Sequence, residues 1–135
     1  MTNNATFENV SLRMIDLAKG IAMVLYRMGM IENLYFFNSG IIPIENVNEI
    51  SILSFSKGGG TCFNTVINNI KSTGNNSVIV TDGYDGCQEY TKQAFFVGVG
   101  GTRFDYYGNE SAFSIYKKNK QCVAYNSETS KFDYV

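Results

Sequence analysis

Histidine and tryptophan are absent from this chain, proline occurs once, at Pro43, and cysteine only three times. Without histidine there is no Ser-His or Cys-His nucleophile pair, the commonest general base is gone, and most zinc sites are excluded. Cys62, Cys87 and Cys122 are odd in number and lack the paired C-x-x-C spacing of zinc and redox sites. They read as reduced thiols, as expected of a cytoplasmic protein. Charge of one sign is also missing: the net charge is −1 over 135 residues, so there is no electrostatic case for direct nucleic-acid binding, which needs a basic face. Lys117, Lys118 and Lys120 form a small basic group that reads as a solvated turn. The longest apolar stretch, Ile21 to Tyr26, falls far short of the roughly 20 residues that span a bilayer. No segment near Met1 combines a basic start, an apolar core and a small-residue cleavage site. We therefore expect a soluble protein with no membrane partner. The richness in Asn and Ile suits an AT-rich genome such as that of a virus or phage.

What is present fits one α/β domain over residues 1–135, long enough to bury a core. Val10, Met14, Leu17, Ala18, Ile21, Leu25 and Met28 recur at steps of three and four, which predicts a helix over about Phe7 to Met28 with one buried face, stopped by Gly29. Leu34-Tyr35-Phe36-Phe37 suits a strand buried on both faces within Asn33 to Asn38. Asn38-Ser39-Gly40 turns it, and Ile41 to Ile44 form an edge strand or an extended loop around Pro43. Ile50 to Phe55 alternates and is expected to run extended into Lys57-Gly58-Gly59-Gly60-Thr61. Phe63, Val66, Ile67 and Ile70 have helical spacing, and Ser72 to Asn76 is turn chemistry. Ser77 to Thr81 and Phe95 to Val99 read as buried parallel strands, with a loop and a short helix near Gln88 to Lys92 between them. Ser111 to Lys118 suits helix or strand, and Gln121 to Tyr125 with Lys131 to Val135 predicts a C-terminal hairpin.

Two of these segments end in oxygen donors: Thr61 after the glycine run and Asp82 in Val80-Thr81-Asp82-Gly83. In α/β folds ligands sit outside the carboxyl ends of parallel strands, and hydroxyl and carboxylate oxygens are the donors that Mg²⁺ and Mn²⁺ prefer. Thr61, or a glycine just before it, also suits the N-cap of the following helix.

In their order and spacing, Gly59-Gly60-Thr61, Thr81-Asp82-Gly83 and the strand ending Val97-Gly98-Val99-Gly100 resemble the von Willebrand factor A (VWA) family, especially its intracellular branch. The resemblance covers most of the chain. It implies a VWA/Rossmann-like, mostly parallel sheet flanked by helices, and a metal-ion-dependent adhesion site in which Thr61 and Asp82 hold Mg²⁺ or Mn²⁺. It further implies a partner-binding rim of Gly59, Gly60, Cys62, Gly83, Asp85, Gly100 and Arg103. Where the family often has Asp after Gly-Gly-Thr, this chain has Cys62, read as a small buried side chain. The family's first, central strand and its Asp-x-Ser-x-Ser ligands have no counterpart, because Met1-Thr2-Asn3-Asn4 falls where that loop would start. In the family order the strand lies between Asn33–Asn38 and Ser77–Asp82. Its absence would leave buried backbone groups unpaired, at a cost of about 1–3 kcal/mol each. Three outcomes are open: a companion chain supplies the strand by β-augmentation, the flanking strands close on each other, or a longer reading frame contains it.

The reading that follows is a non-enzymatic protein-interaction module or assembly subunit, homo- or hetero-oligomeric, with a partial metal site completed by an acidic partner. The rival is a metal-dependent phosphoryl-transfer enzyme using Asp82, Asp85 and Glu89, since acidic clusters can hold Mg²⁺ for such chemistry. Gly98-Val99-Gly100-Gly101-Thr102 lacks the third spaced glycine of a dinucleotide loop, and the Lys57 to Thr61 run lacks the G-K-[ST] order of a phosphate loop.

Overall fold

A computed structural model describes residues 4–7, 10–54, 61–83, 86–99, 113–126, 129 and 131–134. The chain opens with a hairpin, β1 (Asn4–Phe7) and β2 (Val10–Arg13), in antiparallel register from Asn4↔Arg13 to Phe7↔Val10. Helix α1 follows at once as Met14–Arg27. The helix expected from Phe7 thus starts a full two turns later. Thr6, Phe7 and Val10 belong to the residue types that suit a pleated surface, and cross-strand pairing outweighs the helical spacing there. At the other end, Gly29 takes φ 70, its N–H donates to the Tyr26 carbonyl and that of Met30 to the Leu25 carbonyl, each at 3.0 Å. This is a Schellman stop, and Gly29 fills the left-handed position that it requires.

Strand β3 (Tyr35–Phe37) pairs antiparallel with β4 (Ile41–Pro43) in a separate two-stranded sheet. Tyr35 is exposed and Phe36 and Phe37 are only half-buried, so the expectation of a strand buried on both faces fails. Nor does β3 pair with the strand at Ser77–Thr81. Of Ile50 to Phe55, expected to be extended, residues 50–54 fall in helix α2 (Glu49–Ser54), and Phe55 lies outside the described residues. The cause is local: the Ser51 N–H donates to Asn48 Oδ1 and the Asn48 N–H to Ser51 Oγ, both at 2.9 Å. That reciprocal pair is a capping box, which satisfies free donors at a helix start and outweighs the β-branched composition.

Helix α3 (Phe63–Thr73) ends at Gly74, φ 71, whose N–H returns to the Ile70 carbonyl, and leads into β5 (Ser77–Thr81). The main sheet has the order β5-β6-β7-β8, with β6 at Ala94–Gly98, β7 at Cys122–Asn126 and β8 at Lys131–Tyr134. The first three strands are parallel and β8 returns antiparallel, which is the C-terminal hairpin. No helix forms over residues 86–93; helix α4 (Ser114–Lys118) lies between β6 and β7 in the chain. The architecture is therefore α/β, with a mostly parallel sheet flanked by helices.

The core lies between α3, α4 and one face of this sheet, where Phe63, Ile67, Phe96, Phe113, Tyr116 and Cys122 are fully buried. Phe96 is its centre, in edge-to-face contact with Phe63 at 5.6 Å, Phe113 at 4.6 Å and Tyr116 at 4.9 Å. Such pairs add to the area that they bury. The Tyr116 hydroxyl donates to the Glu89 carbonyl and accepts from the Thr91 N–H, tying residues 86–93 to the core. Burial pushes the ionisation of Tyr116 well above the ordinary tyrosine value and that of the Cys122 thiol up to about 12.

Candidate functional site

Parallel pairing alternates the direction of backbone groups along β5. The Ser77 N–H donates toward β6, to the Gln93 carbonyl at 2.8 Å, and the Thr81 carbonyl accepts from the Val99 N–H at 2.9 Å. Val78 and Val80 therefore turn their N–H and C=O away from β6. Among the described residues, no strand pairs with that edge. On β3, the bonds Ile44 N–H to Leu34 and Asn38 N–H to Gly40, both 2.9 Å, leave Tyr35 and Phe37 pointing away from β4 in the same manner. Both edges border one cavity of about 610 Å³. Helix α3 lines it through Val66, Asn69, Ile70 and Thr73, and α1 lines it through Ile15, Ala18, Lys19, Ala22 and Leu25.

Thr61 and Asp82 line this same cavity. Asp82 is 7% exposed and follows Thr81, whose hydroxyl accepts the Gly83 N–H at 3.2 Å. That bond, with Gly83 at φ 81, turns the chain sharply after the strand. The N-cap of α3 is Cys62 and not Thr61, which precedes that cap by one residue. Cys62 is half-buried; its N–H donates to the Asn38 carbonyl at 3.1 Å, and its Sγ lies 3.1 Å from Thr65 Oγ1. The start of α3 is thereby fixed to the end of β3. Gly59, Gly60, Asp85, Gly100 and Arg103 lie outside the described residues, as does the glycine run from Lys57. Glu89 is turned away to an ion pair with Lys71 at 2.8 Å, and its N–H is one of two accepted by Asn64 Oδ1 at the start of α3.

No protein-family model matches the chain, and no curated protein or solved structure resembles it significantly. The site is therefore read from its own chemistry. Thr61 and Asp82 bring one hydroxyl and one carboxylate, whereas Mg²⁺ takes six oxygens. Among the described residues, no three His, Cys, Asp or Glu side chains gather to hold a metal ion. Two oxygens fit a divalent ion only if water and a second molecule complete its shell.

The sequence reading missed Lys19. This residue is 8% exposed, it lines the cavity, and its Nζ donates to the Leu53 carbonyl at 3.1 Å, its one hydrogen-bond partner among the described residues. An ammonium carries three donors, and a charge is rarely buried without a counter-ion. The signal was present in the sequence: Lys19 lies four residues after Ile15 and three before Ala22, inside an apolar helical stripe. Among the described residues, no helix is long and apolar enough to cross a membrane.

Proposed function

We propose that this chain is a non-enzymatic, VWA-like interaction module or assembly subunit that binds a protein partner at the cavity between β3 and β5. The observation that carries the reading is the convergence of Thr61 and Asp82 on a single cavity at a sheet edge that no described strand pairs with. A rim of this kind supports recognition of an acidic side chain of the partner, with Mg²⁺ or Mn²⁺ held weakly by Thr61 and Asp82 and completed by that carboxylate. It does not favour phosphoryl transfer, because Glu89, one of the three acids on which that reading depends, is ion-paired with Lys71.

Titration with Mn²⁺ alone, followed by paramagnetic broadening of backbone amide resonances, tests the metal part. Broadening should centre on Thr61, Cys62 and residues 81–83, and Asp82→Asn should abolish it while leaving the spectrum otherwise folded. Uniform broadening, or an unchanged pattern in the variant, would remove the metal from the reading.

A further inference from the structure

We infer that the cavity between β3 and β5 takes an extended strand of a second polypeptide, apolar along its length and carrying, besides any acid that completes the metal at its end, one acidic side chain that pairs with Lys19. The inference rests on the interaction reading and specifies the partner's form. Two strand edges that no described strand pairs with border the slot, with Tyr35 and Phe37 directing backbone groups from one side and Val78 and Val80 from the other. A helix, whose backbone bonds are internal, would leave those groups unmet; an extended strand pairs with them on both sides. The layers enclosing the slot are apolar side chains of α1 and α3, such as Ile15, Ala22, Val66 and Ile70, which match alternate side chains of such a strand. Lys19 sets the charge of the occupant. Its buried ammonium has a carbonyl and no carboxylate among the described residues, and a carboxylate arriving on the strand would complete its bonding.

The test selects random decapeptides displayed on phage against the full chain, then measures the most enriched one as a synthetic, labelled peptide by fluorescence anisotropy. Selection should enrich β-branched and aromatic residues around a fixed Asp or Glu. Methylating alternate backbone nitrogens of the peptide should weaken binding roughly 5- to 100-fold, the loss expected from orphaned backbone partners. Val80→Pro should do the same from the protein side, because the Val80 N–H faces the slot and contributes nothing to β6. Should Val80→Pro not fold, the methylated peptide alone decides the point. Changing the peptide's acid to its amide should cost roughly tenfold against the native chain and almost nothing against Lys19→Met.

Failure of the selection would overturn the inference, as would binding that is indifferent to backbone methylation. The two readings fail separately. Peptides that need Mn²⁺ and Asp82 but ignore backbone methylation would preserve the interaction module and refute the strand; peptides that ignore Asp82→Asn and chelator but obey methylation and Lys19 would preserve the strand and remove the metal. Amides of Val78 and Val80 as protected from exchange in the free protein as that of Ile79 would mean that the chain fills its own slot, which also refutes the inference.

Discussion

The two halves of this molecule use similar sequence material to different ends. From α3 onward, apolar side chains meet: Phe63, Phe96, Phe113 and Tyr116 are fully buried and stack edge to face. Before α3, the side chains of Val24, Met28, Met30, Tyr35, Ile50 and Leu53 are exposed, and among the described residues there only Ile52 is fully enclosed. The distinction is not composition but what each strand pairs with. Strands β5, β6 and β7 lie side by side, so their inward side chains share one surface for α3 and α4. The β3-β4 pair stands apart from them, and α1 spans a slot where a shared surface would be. Among the described residues, the earlier half therefore has no shared sheet surface on which its apolar side chains could meet.

The largest expected effect comes from breaking the packed half. Phe96→Ala should destabilise the fold by about 3–5 kcal/mol, the usual cost of emptying a tightly packed aromatic site. Phe36→Ala, at a half-buried position on the slot, should cost only about 1 kcal/mol because part of its surface is already wet. Denaturant unfolding of both variants measures the contrast. Equal losses would mean that the slot is closed in solution and that the halves are packed alike.

Alkaline pH separates the same two regions by a smaller amount. The buried Cys122 thiol ionises near 12 in the folded chain, displaced from 9.0 first by burial. An unfolded chain releases that proton earlier, so between about pH 9 and 12 the folded state holds more protons and stability falls as pH rises, by up to about 1.4 kcal/mol per unit. Below pH 9 the contribution is fully present. Tyr116, also raised mainly by burial, adds to the slope above pH 10. Cys122→Ala should flatten the lower part of the decline, measured as the urea midpoint against pH. A slope unchanged by that substitution would mean that Cys122 is solvated and the core is looser than described.

How far the sequence foretold these differences follows the range of the forces involved. Strands β5, β6 and β7 were legible because Ser77 to Thr81, Phe95 to Val99 and Gln121 to Tyr125 are short apolar runs bounded by turn residues, and α3 because Phe63, Val66, Ile67 and Ile70 repeat at helical steps. Helix α2 is masked in the sequence because Ile50, Ile52 and Leu53 mimic an alternating strand; the deciding bonds are the short-range ones between Asn48 and Ser51. The β1-β2 hairpin was hidden beneath a helical spacing that extends past the true helix start. Of the candidate site, Thr61 and Asp82 were anticipated from their loops and do share a cavity. Lys19 was not: its place between Ile15 and Ala22 was readable as a helical stripe, but the Leu53 carbonyl that receives its ammonium lies far away in sequence.

The smallest expected effect lies in the polar contact between α1 and α2. Arg27 Nε and Glu49 Oε1 are 2.7 Å apart, with side chains 66% and 49% exposed. The hydrogen bond from Arg27, followed by its charge, holds the Glu49 carboxyl below its ordinary value. Each group also sits favourably on its helix, Arg27 in the last turn of α1 and Glu49 in the first turn of α2. Exposed pairs of this kind are screened by salt and lose side-chain freedom when they form. Arg27→Gln should therefore leave the thermal midpoint unchanged at physiological ionic strength and lower it slightly when salt is removed. A drop comparable to that of Phe96→Ala would reverse the comparison: the earlier half would then be held by its polar clasp, and α1 would depend on α2 more than on anything entering the slot.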